Sequence, residues 1–479
     1  SESKKSFGDD RVFIEKYIEQ PRHIEIQILC DKHGNQVHLG ERECSIQRRY
    51  QKVIEECPSP FVDSKMRTKM AEQALKLAKE VKYDSAGTVE FVVDSKKNFY
   101  FLEMNTRLQV EHPVTELVTG IDLVEQMIRC ADNKKLKITQ KDIKLKGWSV
   151  ESRIYAEDPI KDFLPSIGRV THYIEPEISS NDEDVIRNDT GISPGSEVSL
   201  FYDPMISKLA VHSKDRKTAI DLMIKSLENY YLSGVENNIN FLISILDDKK
   251  FRNGDISTNF IKDKFKKGYE SNLALNYDKE IKLSIFALVL HCYQIKEESL
   301  KKNKSYAVKI NDNYTDIQIL KFDFSKKVLK STFEISNEKY DISASIKLID
   351  KIHHIEINNV IYSFKLNNLI NMHRFDISYF DARVNSHVIL QSHKKLLRIM
   401  PKIMKEDLSK KLISPMPGLI KSINVVEGQK IKNGDQILII EAMKMENILK
   451  CEKDCKIEKI LINSGDSVGA DEELVLFSN

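Results

Sequence analysis

Between residues 411 and 479 the chain repeats itself. Ile420, Ile423, Val425, Gly428, Ile431 and Ile437 to Ile440 recur 37 positions later as Ile457, Ile460, Ile462, Gly465, Val468 and Leu474 to Phe477. Neither half-unit can bury an apolar face alone, so the repeat dictates two sheets packed about an approximate twofold, a flattened all-β unit. Between the halves lies Glu441-Ala442-Met443-Lys444-Met445-Glu446-Asn447, which places Lys444 at the turn joining them. A lysine at a tip is ordinarily just a solvated charge. A methionine on each side of it opposes the usual polar chemistry of turns and reads as a recognition feature.

The remainder is too long for one core: at roughly 100 to 200 residues per domain, 479 residues predict about three or four domains. A content of 41% hydrophobic and 30% charged residues excludes a disordered chain, a collagen-like fibre and a disulfide scaffold. The net charge of +2 gives no whole-chain attraction to nucleic acid or to an anionic membrane. No apolar run nears the roughly 18 residues that cross a bilayer, and Ser1 to Gly8 lacks a signal peptide's apolar core. Seven irregularly spaced cysteines suit a reducing compartment, and Cys451 and Cys455 read as buried thiols rather than metal ligands.

Short alternating runs over residues 8 to 56 predict strands, and the spacing of Met66, Met70, Ala74, Leu77, Ala78 and Val81 predicts a helix capped by Asp63 or Ser64. A hairpin, Thr88 to Val93 with Phe99 to Glu103, and a helix from Ile121 to Ala131 complete an α+β unit with one open antiparallel sheet, residues 1 to 147. A second unit covers 148 to 265, with strands near Ser149 to Ile154 and Arg169 to Ile174 and a helix from Arg216 to Tyr230. Residues 275 to 400 hold one helix, Glu280 to Ile295, apolar nearly all round, followed only by short strands. Such a helix is normally buried, which predicts strands curled around it. Residues 411 to 479 are the repeat unit.

The densest chemistry lies between Thr88 and Glu111. A four-residue loop would set Glu90 opposite Glu103 across the hairpin, two carboxylates suited to sharing a divalent cation. Continued as a strand, Glu103, Asn105, Arg107, Gln109 and Glu111 fall on one face and Met104, Leu108 and Val110 on the other. A half-exposed strand with a wet face is the ordinary reading. Oxygen ligands followed by a fork-shaped cation, an amide and a carboxylate also suit the handling of a phosphate and a small anion.

Ala442-Met443-Lys444-Met445 closely resembles the motif of biotinyl domains, in which the lysine is joined to biotin through an amide. Pro21-Arg22-His23-Ile24-Glu25-Ile26-Gln27, Glu43-Cys44-Ser45-Ile46-Gln47-Arg48-Arg49 and Glu103-Met104-Asn105-Thr106-Arg107-Leu108-Gln109-Val110-Glu111-His112-Pro113 resemble the biotin carboxylases of the ATP-grasp superfamily, over residues 8 to about 265. The helix-plus-strands segment between them resembles the domain that docks the α chain of propionyl-CoA carboxylases onto the carboxyltransferase β chain. The resemblance implies a multidomain α+β protein: the C-terminal part of an ATP-grasp domain, a biotin carboxylase C-terminal domain, a helix-centred antiparallel β-barrel and the biotinyl domain.

The resemblance also implies roles. Glu90, Glu103 and Asn105 would hold Mg²⁺ or Mn²⁺ and the ATP phosphates, with Glu15, Lys16, His23 and Gln47 around the adenosine. Lys52, Arg107, Gln109 and the Val110 backbone would hold bicarbonate, Glu111 would take its proton, and Arg153 would stabilise the biotin enolate. Tyr50 stands where the family often has His, and Arg48 and Arg49 are equally read as braces for carboxylates. The family's nucleotide-fold domain and Gly-rich loop are not within the residues given, so this chain is expected to bind ATP poorly by itself. Expected partners are a carboxyltransferase β subunit in a hetero-oligomer and a biotin protein ligase, with no nucleic acid or membrane, in a bacterial cytoplasm or else a mitochondrial matrix. Two alternatives stay open: a catalytically silent biotinylated carrier, and an α chain acting on methylcrotonyl-CoA or acetyl-CoA.

Overall fold

The computed structural model describes residues 11, 12, 14, 16–180, 184–266, 268–270, 275–295, 304–399, 410–442 and 445–478. Its first architectural unit is a nine-stranded sheet. In chain order the strands are β1 (Arg22–Cys30), β2 (Gln36–Arg48), β3 (Gln51–Cys57), β4 (Ser85–Val93), β5 (Phe99–Asn105), β6 (Trp148–Tyr155), β7 (Ser179–Ser180), β8 (Val185–Thr190) and β9 (Met205–Ser213). In space the order is β7-β8-β9-β6-β3-β2-β1-β4-β5. The antiparallel pairing of β3 with β6 carries the sheet from residues before 147 into those after it.

Alternation along β1 decides what each face becomes. Ile24, Ile26 and Ile28 pack with Val89, Phe91 and Val93 beneath helix α1 (Ser64–Glu80). That helix starts where the Asp63 carboxylate accepts from the Met66 N–H, and it buries Met66, Met70, Ala71, Ala74 and Ala78 as one stripe. His23, Glu25 and Gln27 therefore face the other way. There, helix α2 (His112–Thr119) packs against β2, β3, β6 and β9, while α3 (Leu123–Ala131), capped by Asp122, lies over β4. The sequence reading lacked α2, whose eight residues open on Pro113 and look like a break; proline is in fact well suited to a first helical turn. Helix α4 (Arg216–Glu228), with an Asp215–Thr218 capping box, packs on β6 and β9.

Helix α5 (Tyr277–Gln294) buries every residue from Leu283 to Cys292. It fills a closed barrel of eight antiparallel strands running from Ser305–Ile310 to Ala382–Leu390. The all-round apolar helix thus finds the covering that the sequence demanded.

In the last unit the repeat becomes symmetry. Strands Gly418–Ile423, Lys430–Ile431 and Gln436–Ala442 correspond to Cys455–Ile460, Ser467–Val468 and Glu473–Ser478. Each four-stranded sheet draws strands from both halves: Gly418–Ile423 pairs with Ser467–Val468, and Cys455–Ile460 with Lys430–Ile431. Gln436–Ala442 pairs with Met445–Lys450, Ala442 standing opposite Met445. Lys444 and Met443 lie outside the described residues. No described helix is long and apolar enough to cross a membrane.

Candidate active site

One rung of the sheet carries the site. Cross-strand pairing puts Arg42 opposite Glu25, Glu25 opposite Glu90 and Glu90 opposite Glu103, four charged residues in a row over β2, β1, β4 and β5. The Glu90–Glu103 pair expected from sequence is present, by another route. The connection spans residues 94 to 98, and a register shift between Glu90 and Phe91 restores the pairing.

Arg42 is wholly buried. Its Nε donates to Glu25, Nη1 to Gln27 (2.6 Å) and Thr115 (3.1 Å), and Nη2 to Thr88 (3.0 Å) and Gln109 (2.9 Å). All five guanidinium hydrogens are taken. Beside it, Lys52 Nζ donates to Glu25 (2.6 Å), Glu90 (3.2 Å) and Glu111. Burial opposes the charge on Lys52, but Glu25, Cys44, Glu111 and Glu90 outweigh it and hold the ammonium above its ordinary range. Burial likewise opposes ionisation of Glu25, where Arg42 and Lys52 prevail and bring it to about 2. Glu90 also reaches about 2, burial being overcome by the hydrogen bond with His23, the Lys52 charge and the Gln109 amide.

Glu111 is the carboxylate at the centre of the charge network. Buried just before α2, it accepts from Lys52 and from Arg153 Nη2 at 2.9 Å. Arg153 on β6 also donates Nε to Glu55 at 2.6 Å. Glu90, Glu103 and Asn105 converge as expected: the Asn105 amide lies 3.0 Å from Glu90 and 3.1 Å from Glu103. It is the Asn105 Nδ2 that donates to both carboxylates, while its Oδ1 accepts from Arg107; the two carboxylates suit Mg²⁺ or Mn²⁺, and a half-turn of the amide would add the Asn105 oxygen to them. Gln109 donates to Glu90 at 2.7 Å, and His23 Nε2 is 3.0 Å from Glu90.

Other expectations are corrected. The strand stops at Asn105, so Arg107, Gln109 and Glu111 do not share its face by alternation; a loop turns into α2 and brings Gln109 and Glu111 inward. Arg107 remains exposed, 3.3 Å from the Asn105 side chain and the Leu108 carbonyl. The Val110 carbonyl accepts from Lys208 Nζ at 2.6 Å. Gln47 donates to the Cys44 carbonyl at 2.8 Å. Lys16 lies over Tyr100, on the rung that runs through Val92 to His23. Glu15 lies outside the described residues. Arg48 and Arg49 do brace carboxylates, those of Glu157 and Asp162. Sequence reasoning passed over Glu25, Arg42 and Lys208, which stand in alternating strings that look like wet strand faces.

Three families match the chain in order. "Carbamoyl-phosphate synthase L chain, ATP binding domain" covers residues 1–139, "Biotin carboxylase C-terminal domain" 151–263 and "Biotin-requiring enzyme" 410–477. The propionyl-CoA carboxylase alpha chain of Ruegeria pomeroyi is 42% identical over 100% of this chain and 73% of its own length. This chain belongs to the propionyl-CoA carboxylase alpha-chain family. The mitochondrial human member is 41% identical over 99% of this chain and 66% of its own. The biotin carboxylase domain of the Hydrogenobacter thermophilus 2-oxoglutarate carboxylase, solved with MgADP, ADP and bicarbonate, is 46% identical over 55% of this chain and 57% of its own, with a TM-score of 0.52. The chain spans 73% and 66% of the length of these two propionyl-CoA carboxylase alpha chains.

Proposed function

We propose that this chain is the biotin-loading and biotin-carrying part of an acyl-CoA carboxylase, with propionyl-CoA the acyl substrate of the assembled enzyme. The buried Glu111, bonded to both Lys52 and Arg153, carries the reading. A carboxylate so placed can take the proton of bicarbonate, leaving a dianion whose oxygen attacks the γ-phosphorus of ATP; the bond to the β,γ-bridging oxygen breaks, ADP leaves and carboxyphosphate forms. Lys52, Arg107, Gln109 and the Val110 N–H would hold that anion. Lys52 stays cationic among its carboxylates and serves as a fixed charge rather than a proton donor.

Glu90, Glu103 and Asn105 would hold Mg²⁺ or Mn²⁺, which would supply charge neutralisation at the phosphates, while Lys16, His23, Gln47 and Glu15 would be the residues that take the adenosine. Biotin, amide-linked to Lys444 by a biotin protein ligase, supplies a ureido nitrogen as carboxyl acceptor on a flexible arm. Arg153 would face that ureido group with a guanidinium able to stabilise an enolate. The barrel around α5 would dock a carboxyltransferase β subunit, and residues 1–147, 148–265, 275–400 and 411–479 would be the four functional units. A reducing compartment, bacterial cytoplasm or mitochondrial matrix, suits seven cysteines that are all free thiols.

The test uses the whole polypeptide. Glu111→Gln should lower bicarbonate-dependent ATP cleavage with free biotin by about 10² or more, the loss expected for a general base. Lys444→Arg should abolish the streptavidin-blot signal and leave ATP cleavage with free biotin intact. Full activity in Glu111→Gln would refute its role; a wild-type polypeptide that is biotinylated yet never cleaves ATP would establish the silent-carrier alternative.

A further inference from the structure

Behind Arg153 lies a pair of acids for which the reaction above has no use. Glu55 on β3 and Glu151 on β6 are direct cross-strand partners, so their side chains leave the sheet on one face. Both are fully buried. Glu55 Oε1 accepts from Arg153, but Glu55 Oε2 and both oxygens of Glu151 have no hydrogen-bond donor among the described residues. An ionised carboxylate left in that position is costly, and a buried acid ordinarily responds by keeping its proton. The neutral carboxyl then carries an O–H that needs an acceptor, and the orphaned oxygen of the cross-strand neighbour is one.

We infer that Glu55 and Glu151 share a single proton as a buried carboxyl–carboxylate pair, and that this pair is a positioning unit for Arg153. The inference rests on the role given to Arg153 above. Burial pushes Glu55 up to about 7 and Glu151 well above the carboxylate range. The charges facing the pair are Arg153 on β6, Lys52 on β3, Lys208 on β9 and Glu111 at the start of α2. The covering helix α2 contributes buried Val114, Thr115 and Val118, and its His112 and Glu116 face each other near Arg187 instead.

With one proton between the two acids, Arg153 is shared by Glu55 and Glu111 and stays aimed at Glu111. Loss of that proton would set two anions side by side and draw the guanidinium back toward the sheet. The pair escaped the sequence reading because Lys52 and Glu55, three apart on one strand, should face opposite ways; a register shift between β2 and β3 lets both reach the Glu111 network.

Infrared spectroscopy of the whole polypeptide at pH 7 should show a deuterium-sensitive carbonyl band of a protonated carboxyl, lost in Glu151→Gln, where the remaining Glu55 is held ionised by Arg153, and kept, with a shifted frequency, in Glu55→Gln, where Glu151 has no cation bonded to it. Kinetically, Glu151→Leu should lower kcat by about tenfold or more with little change in KM for ATP, and Glu151→Gln, whose amide is a neutral donor, should restore it to within about threefold. The alkaline limb of the pH–rate profile should move upward in Glu151→Gln, which has no proton to lose. No such band in the wild type, a band that survives in Glu151→Gln, or a Glu151→Gln enzyme as impaired as Glu151→Leu would each overturn the inference. If Glu151→Leu does not fold, the band and the alkaline limb of the two Gln variants decide. The infrared result does not need turnover, so a wild type that shows the band but cleaves no ATP would sink the carboxylase reading and keep the proton pair.

Discussion

Arg42 shows what a single residue does here that no motif records. Its five hydrogen bonds join β1, β2, β4 and α2 to the loop carrying Gln109. Arg42→Met would leave Glu25 buried with one of its two cations gone, a change that typically costs about 3–5 kcal/mol. The pH dependence follows from Glu25, held at about 2 against an ordinary 4.5. A carboxyl lowered by folding contributes stability above pH 4.5 and loses it as pH falls toward 2. Urea midpoints measured between pH 5 and 2.5 should fall steeply in the wild type and more gently in Glu25→Gln; equal slopes would refute the assignment. Glu90, Glu103 and Asn105 were legible in the sequence because a hairpin fixes which residues meet. Arg42 and Glu25 were not, because alternation tells which residues share a face and says nothing of what covers it. Here α2 covers it and turns an apparently wet face into a buried charge network.

At the scale of elements, the repeat was the most legible part, and it makes a symmetric prediction. Gly428 and Gly465 occupy equivalent turns with φ of +83° and +94°, and a Cβ at either would meet open space. Alanine is therefore penalised by backbone conformation alone, about 1–2 kcal/mol at each position. Hydrogen exchange over residues 410–478 should report equal losses for Gly428→Ala and Gly465→Ala, with residues 22–155 unaffected. Unequal losses would mean that the twofold of the sheets is not a twofold in energy. Elsewhere the elements misled wherever a strand was irregular. Alternation past Asn105 failed because the chain leaves the sheet there, and the Glu90–Glu103 pairing needed a bulge that no residue pattern announced.

At the scale of the molecule, the barrel meets the preceding unit through polar contacts, and one of them titrates. Lys365, on barrel strand Val360–Asn371, donates to the Leu227 carbonyl at 2.9 Å, at the last turn of α4. A cation there satisfies a carbonyl that the helix leaves free and complements the helix dipole. Tyr231 to the Asn367 carbonyl (3.3 Å) and Arg383 to Glu236 (3.0 Å) extend the junction. Burial lowers Lys365 from 10.5 to about 8, with Glu228 only partly opposing it, and burial raises Glu228 from 4.5 to about 7. The signs then oppose each other. From pH 4.5 to 7 the folded Glu228 holds a proton that the unfolded chain has lost, so stability falls as pH rises; from 8 to 10.5 the folded Lys365 has lost a proton that the unfolded chain keeps, so stability rises. The junction is weakest between, near pH 7 to 8, where both groups are charged and incompletely compensated. Hydrogen exchange of the Leu227–Tyr231 and Val360–Asn371 segments, corrected for intrinsic rates, should show least protection in that window. Glu228→Gln removes the acidic arm of the profile, so protection should no longer decline between pH 5 and 7; a decline that persists in the variant would place the titrating group elsewhere.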